Sequence, residues 1–168
     1  MEAVASDWVT AVTDGDLSTF EALSTERMLE EFFDGEGVSA EALEEFRQYF
    51  FSGEELTDAA NESEVAEWTA TGLDTITFTT TDINKAAQKL LGARGNRPPP
   101  ASINNERNAI TDMLGLGPSD IGFVIYKPQF SDSSGFGNTN PDKAVGVIMF
   151  DSRDAKNPLV AYAYIETA

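Results

Sequence analysis

Three segments near the end of the chain, residues 121–127, 144–150 and 159–165, are apolar at successive positions rather than at alternate ones. Phe123 and Ile125 fall on one side of the first, Val124 and Tyr126 on the other; Val145 and Val147 oppose Ile148 and Phe150 in the second. Successive side chains of a strand point to opposite faces, so an antiparallel sheet with one wet face alternates apolar and polar residues. These strands do not alternate, and their sheet therefore needs a cover on each face. Residues 82–92 and 103–114 supply one cover. The other falls to the N-terminal helices or to a neighbouring subunit.

The helical candidates follow from spacing. Ile83, Ala86, Ala87, Leu90 and Leu91 form one apolar face after Asp82, a good N-cap, and before Gly92. Pro98, Pro99 and Pro100 predict an extended connector, and Gly115, Gly117 and Pro118 stop the helix over 103–114. In the first third, Val4, Trp8 and Val12 recur every four residues and Asp14-Gly15 ends the run. Ser18-Thr19-Phe20-Glu21 fits a capping box. Met28, Leu29, Phe32 and Phe33 make a further stripe. Ser39 predicts the N-cap of a helix reaching residue 51, with Leu43, Phe46 and Phe50 on one face and Glu41 in the first turn, where a carboxylate suits the helix dipole. Residues 54–67 are polar enough to be a frayed helix or an acidic linker. Residues 69–81 hold seven threonines; Thr75, Thr77 and Thr79 alternate with Ile76 and Phe78, which predicts a half-buried strand of period two. Residues 129–142 read as a long loop and 151–158 as a shorter hairpin connection. The expected fold is α+β: an acidic helical N-terminal region packed on a C-terminal antiparallel β-sheet backed by two helices. It forms one domain over 1–168, with subregions 1–68 and 69–168.

The run Trp8-Val9-Thr10-Ala11-Val12-Thr13-Asp14-Gly15-Asp16-Leu17 resembles the first helix and turn of nuclear-transport-factor-like small domains. The likeness covers ten residues of a common helix–turn pattern. The later order of segments departs from that family, its usual catalytic His is missing, and no residue role carries over.

Charge is distributed as unevenly as hydrophobicity. Residues 1–68 hold nineteen of the 29 acidic groups and only Arg27 and Arg47 as basic ones, a formal charge of −17; residues 69–168 are at −1. Such a field repels nucleic acid and anionic membrane and attracts cationic partners. No segment approaches the ~18 apolar residues of a membrane span, and the first residues lack the basic and apolar parts of a signal peptide, so a soluble, unprocessed chain is expected. With no Cys and no His, disulfides, thiol chemistry, Cys/His zinc sites and imidazole catalysis are excluded. Salt adaptation would spread acid over the whole exposed surface. The near-neutral last hundred residues are then either covered, or the acidic block has a task of its own.

Two surfaces are candidates for interaction. Glu30, Glu31, Glu41, Glu44 and Glu45 lie opposite the apolar stripes; they read as a solvated face, or as one that mimics nucleic-acid phosphate or docks on a basic protein. Lys85, Lys89, Arg94, Arg97 and Arg107 form a basic island beside a single acid, Glu106. It reads as an intramolecular or subunit–subunit complement to the acidic block, ahead of a nucleic-acid site, since no aromatic residue is interleaved there. Asp132, Asn138, Asn140 and Asp142 offer alternating oxygens without the pattern of a calcium loop. Tyr162 and Tyr164 read as strand packing. No motif nominates catalytic residues, a cofactor or a metal. The expectation is a non-enzymatic structural or assembly subunit, such as a virion or other large-assembly component from a saline environment. It works through self-association or neighbouring protein subunits, with no direct nucleic-acid or membrane contact. The alternatives are an acidic inhibitor or adaptor that binds a basic protein, and a small-molecule-binding or enzymatic domain with an internal pocket.

Overall fold

A computed structural model describes residues 1–33, 37–53, 68–92, 99–130 and 144–167. Their elements run α1 (Glu2–Asp14), α2 (Leu17–Leu23), α3 (Glu26–Phe33), α4 (Ala40–Phe51), β1 (Ser52–Gly53), β2 (Trp68–Thr80), α5 (Ile83–Gly92), α6 (Pro100–Leu114), β3 (Ile121–Phe130), β4 (Ala144–Asp151) and β5 (Leu159–Thr167). The sheet has the order β1-β2-β3-β4-β5, antiparallel throughout, with β1 contributing only a two-residue pairing at the start of β2. The fold is α+β, with N-terminal helices on the sheet as the sequence predicts.

Both faces of the sheet are covered. On one, Trp8, Val9, Phe20, Met28, Leu43 and Phe46 of α1–α4 pack against Val124, Tyr126, Ile148, Phe150, Val160 and Ala163. On the other, Ile83, Ala86 and Leu90 of α5 and Ile110 and Leu114 of α6 pack against Ile121, Phe123, Ile125, Val147 and Met149. The consecutive apolar residues of β3 and β4 thus feed two cores in alternation. Each large side chain so buried contributes roughly 1.5–3 kcal/mol before its entropic cost. The second cover comes from this chain's own N-terminal helices, which resolves the choice between them and a neighbouring subunit.

Helix ends follow local chemistry. Gly15, at φ 72°, closes α1 in the left-handed conformation that glycine adopts without strain. The Asp82 carboxylate accepts from the amides of Asn84 (2.9 Å) and Lys85 (3.3 Å), and Ser39 Oγ accepts from the Ala42 amide (3.1 Å), so both predicted caps are formed. Two expectations need correction. The helix predicted to begin at Ser18 is capped by Asp16, whose carboxylate accepts from the Thr19 amide (3.2 Å) and hydroxyl (2.7 Å). Those bonds hold the Asp16 carboxyl below the usual range. Glu21 closes no capping box; its side chain accepts from the Val38 amide, before α4. Helix α6 begins at Pro100, three residues earlier than predicted. Proline suits the first helical position because that N–H has no partner in any helix; Pro99 has the predicted extended geometry (φ −67°, ψ 153°), and Pro98 lies outside the described residues.

Strand β2 departs from simple alternation. Its register against β3 slips at three places, leaving Thr71, Asp74 and Thr77 as extra, exposed residues. The Thr71 and Thr77 hydroxyls donate to the carbonyls of Gln129 (3.2 Å) and Ile125 (3.1 Å), holding two of the bulges against β3. Each bulge shifts the phase of the side chains that follow. Ile76 therefore packs with the N-terminal core and Phe78 with the α5–α6 core, where strict period two would put both on one face.

Candidate functional site

The five acidic candidates are exposed on the outer side of the N-terminal layer: Glu30 and Glu31 on α3, Glu41, Glu44 and Glu45 on α4. The inner sides of the same helices supply the aromatic core. The Phe46 ring lies 5.4 Å from that of Phe20, 5.6 Å from Phe33 and 5.8 Å from Phe32. Amphipathic spacing thus fixes where the carboxylates stand. Glu44 accepts from Arg47 at 2.9 Å and from Gln48 at 3.5 Å on the next turn. Such an exposed pair contributes little stability.

The basic island is in the opposite layer. Lys85 and Lys89 are exposed on α5; the Lys89 ammonium lies 5.6 Å from the centre of the Phe78 ring, within cation–π range. Arg107 is partly buried on α6. Arg94 and Arg97 fall outside the described residues, as do Asp132, Asn138, Asn140 and Asp142. The described members of the two groups stand on opposite faces of the sheet. That arrangement leaves the intramolecular version of their complementarity without support.

A third feature lies at the outer edge of β5, where the two helical layers meet. It is a groove of about 590 Å³ between α3, the end of α6 and the β4–β5 hairpin. Arg27 spans one side of it. Its guanidinium donates to the carbonyls of Leu114 and Met113, the latter at 3.1 Å. Carbonyls at a helix end lack intrahelical donors and carry the negative end of the helix dipole, so a cation there is favourable. Gly115, at φ 63°, lies directly against the guanidinium; a Cβ at that position would collide with it. On the hairpin side, Arg153 grips the Asp151 carboxylate with Nε at 3.0 Å and Nη2 at 2.6 Å. The hydrogen bonds from Arg153 hold the Asp151 carboxyl below its usual range. Met28, Phe32, Leu116, Leu159 and Tyr162 supply the apolar lining, and the Phe32 and Tyr162 rings lie 6.3 Å apart. Glu26 and Glu31 also line it, and among the described residues neither has an ion-pair partner.

Of the interaction candidates predicted from sequence, Glu31 alone among the described ones borders this groove; Met28, Phe32 and Tyr162, read from sequence as packing residues, line it as well. The groove joins residues 25–32, 113–116 and 151–162, which no local spacing connects. The one available signal was Arg27, a basic residue isolated in an acidic third. Among the described residues no cluster of three acidic side chains is placed to hold a metal ion, and no helix is long and apolar enough to cross a membrane. Comparison with protein-family models, with curated proteins and with solved structures finds no match to this chain.

Proposed function

We infer that this chain is a non-enzymatic assembly subunit that meets its neighbours through oppositely charged helical layers. The single observation behind this reading is the separation of charge. Glu30, Glu31, Glu41, Glu44 and Glu45 face outward from one layer, and Lys85, Lys89 and Arg107 belong to the other, with the sheet between them. Complementary patches on opposite faces of one molecule favour a heterologous, head-to-tail contact, which repeats into rings or filaments. A virion or another large assembly is the setting that fits such a subunit.

Light scattering after size exclusion tests the reading. Wild type at ~0.1 M salt should exceed the mass of one chain, and Lys85→Glu with Lys89→Glu should return it to one chain without changing the circular dichroism. An oligomer unaffected by the double reversal would remove the basic layer from the contact. A wild-type monomer would favour the alternative, an acidic inhibitor or adaptor for a basic protein.

A further inference from the structure

We propose that the groove at the β5 edge binds a small organic cation, an ammonium group carried on an apolar body. This inference goes beyond assembly and does not depend on it. The volume, about 590 Å³, lies within the roughly 300–1,000 Å³ typical of small-molecule sites. Its apolar lining, with Met28, Leu159, Phe32 and Tyr162, suits an aliphatic or aromatic body. The charges decide the rest. Arg153 pairs with Asp151, whereas Arg27 donates to the carbonyls ending α6, which offset no formal charge. Glu26 and Glu31 have no ion-pair partner among the described residues, and with Asp151 they face only Arg27 and Arg153, so the lining carries a formal charge of −1. The Phe32 and Tyr162 rings, 6.3 Å apart and inclined by 34°, add π faces that attract a cation beyond their apolar contact with its body. The acidic N-terminal layer around the groove raises the local concentration of cations and lowers that of anions.

The experiment titrates the full chain with 2-phenylethylammonium, its neutral counterpart 2-phenylethanol and the anion phenylacetate, and follows side-chain NMR shifts at low ionic strength. The ammonium should give saturable shifts at Met28, Phe32, Leu159 and Tyr162. The alcohol should bind about tenfold more weakly and phenylacetate should give no saturable shift. Glu26→Gln with Glu31→Gln should weaken the ammonium about tenfold and leave the melting curve in place. Glu41→Gln with Glu45→Gln, on exposed α4 positions outside the groove, should weaken binding no more than about twofold, the share of the long-range field. Three results would overturn the proposal: equal binding of ammonium and alcohol, equal loss in both glutamine pairs, or shifts spread over the acidic surface and absent from the groove.

Discussion

Removing one hydroxyl from the N-terminal core should be costly out of proportion to its size. Trp8 is fully buried, and its indole N–H donates to Ser24 Oγ at 2.9 Å; Ser24, 4% exposed, donates in turn to the Phe20 carbonyl at 2.7 Å. Ser24→Ala keeps the volume nearly constant but takes this acceptor from a donor that water does not reach. A buried donor left unsatisfied costs about 1–3 kcal/mol, while replacing both partners with apolar groups is close to neutral. The expected loss is therefore about 2 kcal/mol in wild type. It should fall below about 1 kcal/mol in a Trp8→Phe background, which has no donor to orphan. Urea unfolding of the four proteins of this cycle, followed by far-ultraviolet circular dichroism, gives the coupling directly. A change of midpoint at constant slope is the predicted form. Equal losses in the two backgrounds would refute the argument, because the cost would then come from packing and not from the hydrogen bond.

Other outcomes follow from the same geometry. Gly115→Ala should cost more than Gly15→Ala: both carry left-handed strain of roughly 1–2 kcal/mol, but only Gly115 abuts the Arg27 guanidinium, whereas a Cβ at Gly15 meets nothing within 4 Å. Equal losses in thermal melts would deny the Arg27 clamp a role. Asp151 has a folded-state pKa below its unfolded value, so its pairing with Arg153 stabilises the fold above the unfolded carboxylate pKa of about 3.9 and ceases to do so as pH falls through the folded value. An NMR titration of Asp151 should move up toward the ordinary value in Arg153→Gln, and no movement would mean that another group holds it down. Because residues 1–68 carry −17, screening their self-repulsion should raise the melting temperature between ~10 mM and ~0.5 M KCl. A flat or falling profile would show that the acidic layer carries no net repulsion.

The sheet was the most legible part of the chain. Phe123 and Ile125 against Val124 and Tyr126 demanded two covers, and α5–α6 and α1–α4 provide them. Caps at Asp82 and Ser39 were legible because capping is local. The bulges of β2 were hidden because a slip in register depends on what lies opposite, and Thr71, Asp74 and Thr77 look like ordinary members of an alternating strand. Asp16 was passed over because Ser18-Thr19-Phe20-Glu21 satisfies the same capping logic two residues later. The outward stance of Glu41 and Glu45 could be read from their stripe. The groove could not, since Arg27, Leu114 and Arg153 meet only once the chain has wrapped both faces of the sheet.

The most direct test of the assembly account is absolute mass by light scattering across a KCl series from ~0.1 M to ~1 M, with circular dichroism on the same samples. Screening shortens from about 10 Å to about 3 Å over that range. Contact between oppositely charged layers predicts a mass of several chains at the lower limit that declines toward a single chain at the upper, with secondary structure intact. A single folded chain at every salt concentration, or an oligomer indifferent to salt, would contradict it.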